Sequence, residues 1–143
     1  MKSTHHRNVL NFFCYTLLAI VLVLGTSCSL PKVKEPKFKT DFKDIETELK
    51  ALKNFEKVGL QWSATSSKDG TFNVLTLTLV NGRAVPENIE ELTELGKTAA
   101  VIVKNSIDNI QDYSFINVAF QTSSGVILTQ SKSIALRYSI EEL

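Results

Sequence analysis

Beyond position 28 this sequence has no cysteine, and beyond position 6 it has no histidine. Cys14 and Cys28, His5 and His6 all fall in the first fifth of 143 residues. The rest of the chain therefore offers no imidazole for a catalytic triad, a proton shuttle or a typical zinc site, and no disulfide. Charge of either sign in excess is missing too. Without the residues before Cys28, 14 basic side chains stand against 15 acidic ones. So balanced a chain has no long-range field for nucleic acid, which excludes that partner class. The glycines at 59, 70, 82, 96 and 125 form no phosphate-binding spacing. No cofactor and no metal are expected. What the chain does have is 43% hydrophobic residues, enough for one ordinary folded domain.

The N-terminus is organised around Cys28. Lys2 and Arg7 precede an apolar run from Leu17 to Leu24, and Gly25, Thr26 and Ser27 follow it; the first carboxylate is Glu35. A charged start, an apolar middle and a small-residue exit form the pattern of a signal peptide, over residues 1–27. A spanning helix needs about 20 apolar residues, and Asn11, Cys14 and Thr16 weaken the longer window, so that an uncleaved signal anchor is the second reading.

Leu24-Gly25-Thr26-Ser27-Cys28 resembles a bacterial lipobox. Gly25 stands where the usual pattern has leucine, with Leu24 one place further back. The resemblance implies a diacylglyceryl group on the Cys28 sulfur and cleavage that leaves Cys28 first. Each buried methylene contributes about 0.8 kcal/mol, so two or three acyl chains anchor the protein to a membrane. It also implies an extracytoplasmic domain in the cell envelope, at the outer membrane where there is one, because Ser29 rather than Asp follows the cysteine.

Residues 28–39 read as an extended tether, with Pro31 and Pro36, no glycine and lysines at 32, 34, 37 and 39. One domain is expected over 40–143. Phe42, Ile45, Leu49, Leu52 and Phe55 recur at helical spacing, with Thr40 or Asp41 as cap and Glu46 one turn before Lys50. Two period-two segments follow, joined at Asp69-Gly70: Leu60, Trp62 and Ala64, then Leu75, Leu77 and Leu79. The order then repeats. Pro86 suits a first helical turn, and Ile89, Leu92, Leu95, Ala99 and Ile107 line one face. Ile116, Val118 and Phe120 predict a third strand, and Ile134, Leu136 and Tyr138 a fourth. Val126 to Ser133 fits either a strand extension or a loop. The expected fold is α+β: a two-layer sandwich in αββαββ order, with a four-stranded antiparallel sheet covered by two helices on one face. The repeat reads as repeated architecture rather than duplication.

Little in the domain suggests chemistry. Glu87, Glu90, Glu91 and Glu94 suit the positive end of a helix and lack the loop ligands of a Ca²⁺ site. "SLPK" (Ser29 to Lys32) and "TSSK" (Thr65 to Lys68) place a hydroxyl three residues before lysine without the companion motifs of Ser-Lys enzymes. Trp62 shares the apolar parity of its strand, which predicts a core or core-edge place. The opposite parity should present Gln61, Ser63, Thr65, Val74, Thr76, Thr78, Val80, Asn117, Ala119, Gln121 and Arg137. Such a flat polar face suits contact with a protein or glycan, and equally suits plain solvent. Arg137, one of two arginines after Cys28, is the natural contact residue, with Thr76, Thr78 and Gln121 beside it. The expectation is a monomeric, non-enzymatic binding module on a lipid anchor. The other classes are a small-molecule carrier or enzyme with a pocket between helices and sheet, and a structural envelope component.

Overall fold

The computed structural model describes residues 33–68, 70–124 and 130–143. The expected signal peptide, both cysteines and the first part of the ambiguous Val126 to Ser133 stretch lie outside the described residues. Helix α1 (Phe42–Lys53) leads into strands β1 (Lys57–Ser67) and β2 (Gly70–Val80). Helix α2 (Ile89–Asn105), a 3-10 turn (Ile110–Asp112) and strands β3 (Phe115–Ser124) and β4 (Gln130–Ser139) complete the αββαββ order. Residues 130–133 thus extend the fourth strand.

Local chemistry sets the helix ends. The Asp41 side chain accepts a hydrogen bond from the Lys43 amide at 3.0 Å, satisfying one of the unpaired donors of α1's first turn. Asn54, at φ 48°, closes the helix in the left-handed conformation that Asn tolerates. Ile45 and Leu49 are buried, and Glu46 pairs with Lys50 at 2.7 Å. Phe55 lies past the cap rather than on the helix, yet is buried with its ring 6.2 Å from that of Phe120. The second helix begins later than Pro86 suggests. Asn88 caps it by accepting from the Glu90 amide at 2.8 Å, leaving Pro86 and Glu87 in the approach. Ile89 is consequently 58% exposed instead of facing the core, whereas Leu92, Ala99 and Val103 are buried.

The sheet is mixed, in the order β1-β2-β3-β4, and corrects the antiparallel expectation. β1–β2 and β3–β4 are antiparallel hairpins, but β2 and β3 run parallel from Val74↔Phe115 to Val80↔Gln121. The cause is α2. Seventeen residues make a helix about 25 Å long, which carries the chain back along the sheet before β3 begins. Neighbouring strands joined by such a crossover must be parallel. One apolar face per strand favours an antiparallel sheet only statistically. Here the parallel pair keeps a polar side, with Thr76, Thr78, Asn117 and Ala119 half-buried.

Leu75, Leu77 and Leu79 of β2 and Ile116, Val118 and Phe120 of β3 share one core cluster with Ile45, Leu49, Leu92, Ala99 and Val103. α1 lies against β1 and α2, and α2 against β3 and β4. Gly96 is where α2 meets β4. A Cβ there would overlap the Tyr138 hydroxyl, which donates to the Thr93 carbonyl at 2.8 Å. Only glycine allows that approach.

The expected tether is shorter on its domain side than the sequence suggests. Residues 34–39 lie along the segment between α2 and β3 as a strap. Phe38 bridges Ile107, the Lys39 amide donates to the Ser106 carbonyl, and the Asp108 amide donates to the Lys37 carbonyl. Asn109, only 9% exposed, accepts from the Lys37 amide at 2.7 Å and donates to the Glu35 carbonyl at 3.1 Å. The Tyr113 hydroxyl donates to the Lys34 carbonyl at 2.6 Å, and Lys34 pairs with Asp112 at 2.6 Å.

Candidate functional site

The sheet side away from the helices is set by register. Gln61, Thr76, Asn117 and Arg137 pair in turn across all four strands and form one row. Thr78 lies in the next row beside Ala119, and Gln121 in the row beyond it beside Val80. Arg137, Thr76, Thr78 and Gln121 therefore share one face, with Gln121 four residues along β3 from the Arg137 row. Most of this face is half-buried or exposed.

One end of it is ordered in a way that the sequence reading overlooked. The Arg137 Nε donates to Asn117 Oδ1 at 3.0 Å, and its guanidinium lies 5.2 Å from the centre of the Phe115 ring. Phe115 meets Phe72 edge-on, with centroids 6.1 Å apart. Beneath them Val74, paired with Phe115, is only 5% exposed. The guanidinium is thus held by one polar and one aromatic contact on an exposed side chain. The signal for this patch was present. Phe72 is two residues before Val74, and Phe115 two before Asn117, so both continue the outward parity.

The space between helices and sheet is filled: Leu49, Leu75, Leu77, Leu79, Ile116 and Val118 are fully buried there. The concave regions lie at the surface. A shallow groove of about 770 Å³ separates Lys53 of α1 from Ile89, Glu90 and Glu94 of α2. Another of about 490 Å³, beside the aromatic patch, is lined by Phe72, Tyr113, Phe115 and Ile140 among others. Glu87 stands outside α2 while Glu90, Glu91 and Glu94 lie on it, and all four are exposed. Among the described residues no three acidic, histidine or cysteine side chains converge as a metal-ligand set. Trp62 sits on the helix-facing parity of edge strand β1 and is 40% exposed, a core-edge position. Among the described residues no helix is long and apolar enough to cross a membrane.

Perturbed ionisation concentrates at the strap and at Gly96. Hydrogen bonds from Lys34 and then Asn109 hold the Asp112 carboxyl below its ordinary value. Burial, with Asp112 and Glu35 nearby, pushes the Tyr113 hydroxyl up to about 12. Burial, with Glu94 nearby, also raises Tyr138. These groups are structural in their contacts: each shifted side chain is bonded to a backbone carbonyl or to a neighbour within the fold.

Set against models of protein families, curated proteins and solved structures, the chain matches none of them.

Proposed function

We propose that this chain is a monomeric bacterial envelope lipoprotein, anchored through Cys28, whose two-layer domain binds a protein or glycan on its uncovered sheet face without catalysing a reaction. The observation that carries the reading is the ordered patch of Arg137, Phe115 and Phe72 over Val74, continuous with the polar row Gln61–Thr76–Asn117. Arginine and aromatic side chains dominate binding energy in protein interfaces, and here they are already fixed before a partner arrives. The filled space between helices and sheet favours binding on the outside over a carried ligand within. The outer membrane is the proposed location, from Ser29 after the lipobox-like stretch.

The test has two parts. Cys28→Ser should leave an unprocessed precursor that takes up no fatty acid, while Cys14→Ser changes neither. Affinity capture from membranes with the lipidated protein, repeated with Arg137→Ala, reads the face: a partner retained fully by a folded Arg137→Ala variant places binding elsewhere.

A further inference from the structure

We infer that the strap of residues 34–39 decides which end of the domain meets the bilayer, and that the β1–β2 ribbon is the end resting in the phospholipid headgroup layer. This rests on the lipid anchor at Cys28. The argument is one of lengths. With the strap bonded, six residues of chain separate Cys28 from Lys34, a reach of at most about 22 Å. Without it the leash would run thirteen residues to Asp41, about 47 Å.

Sheet length falls between these two values. Lys34 is held by Tyr113, two residues before β3 begins, so it stands level with one end of the sheet. From Phe115 to Ser124 β3 advances nine residues, about 30 Å. If the β3–β4 end faced the bilayer, Lys34 would stand about 30 Å or more above it, which a reach of about 22 Å does not allow. A leash of about 47 Å would allow either end. The strap therefore removes the upright orientation with the β3–β4 end on the bilayer, and leaves the β1–β2 end as the one that an upright domain sets against the membrane.

The end left beside the membrane carries a projection. β2 pairs with β3 only from Val74 onward, so Ala64–Ser67 and residues 70–73 form a two-stranded ribbon extending about 13 Å further. Its chemistry suits phosphate headgroups: Thr65, Ser66, Lys68 and Thr71 are exposed donors, while Trp62 stands 40% exposed and Phe72 half-buried near its base. A short leash gives a high effective concentration, so these few contacts suffice. The strands then rise away from the bilayer, and the patch around Arg137 presents to a neighbour standing on the same membrane.

The lipidated protein in phospholipid vesicles with a headgroup-attached quencher tests this. A fluorophore is placed on Lys68→Cys at the ribbon, or on Thr122→Cys near the other end. Flotation with the vesicles reports the anchor separately, so a protein that fails to float refutes the lipid reading instead. In floating protein the Lys68→Cys label should lose most of its emission and the Thr122→Cys label should keep most of its own. A ten-residue Gly-Ser insert between Pro31 and Lys32, which leaves the strap untouched, should bring the two labels together. Equal quenching without the insert, no quenching at either site, or a contrast that survives the insert each overturns the inference.

Discussion

Replacing Gly96 by alanine should destabilise the domain, although alanine is the better helix former. In the interior of α2 the substitution gains about 1 kcal/mol of intrinsic helix propensity. Against that, the new methyl overlaps the Tyr138 hydroxyl and stands 3.1 Å from Cζ and 3.3 Å from Leu136 Cδ1. Overpacking of this kind costs about 1–3 kcal/mol. Displacing the hydroxyl also breaks its 2.8 Å bond to the Thr93 carbonyl, worth about 1 kcal/mol. The balance is a loss of about 1–3 kcal/mol. Tyr138→Phe alone should lose about 1 kcal/mol, the hydrogen bond. The double variant should be no less stable than Tyr138→Phe alone, because the atom that the methyl meets is gone and the remaining contacts need a shift of a few tenths of an ångström. Urea unfolding of the chain from Ser29 onward measures all four proteins, and the coupling should be about 2 kcal/mol. A higher midpoint for Gly96→Ala, or additive effects in the double variant, would refute the close approach of α2 and β4.

Leu77→Ala should lose about 2–5 kcal/mol in the same assay, as a fully buried large-to-small change, whereas Thr76→Lys, one residue away on the other face, should stay near wild type. Reversed outcomes would put the sheet the other way round. Ala84 holds φ 51°, where an L residue is strained by about 1–2 kcal/mol, so Ala84→Gly should raise stability by a few tenths to about 1 kcal/mol once glycine's extra unfolded freedom is counted; a loss would show that the turn is not strained. Asp112 binds its proton less tightly when folded than the ordinary value of 3.8, so its contribution is complete above that pH and is lost as the pH falls below it. Asp112→Asn should flatten this acid limb of the stability curve, and an unchanged limb would refute the Lys34–Asp112 clasp.

Element type and order were legible because they depend on local pattern. Ile45 and Leu49 announce α1, and the alternation around Leu77 and Val118 announces buried strand faces. Strand direction was not, because it depends on how far α2 carries the chain, which no local period encodes. The strap was hidden for a related reason. "KEPKFK" has the composition of a solvated spacer, and it is fixed by Asn109 and Tyr113, more than seventy residues away. At the candidate site the face of Arg137 and Thr76 followed from parity, while its ordering by Phe115 and Phe72 depends on contacts between β4, β3 and β2.

The parallel seam between β2 and β3 also governs how this chain folds. Each hairpin closes locally, between residues close in sequence, but the seam joins Val80 to partners beyond Phe115 and must wait for α2 to form and dock. A chain synthesised from its N-terminus presents the first αββ half alone. Until β3 arrives, β2 is an outer strand with unpaired amides and carbonyls beside Leu75, Leu77 and Leu79, a ready template for the wrong partner. The period of greatest aggregation hazard is therefore the time taken to deliver residues 115–121, and slowing synthesis or truncating the chain before Phe115 extends it.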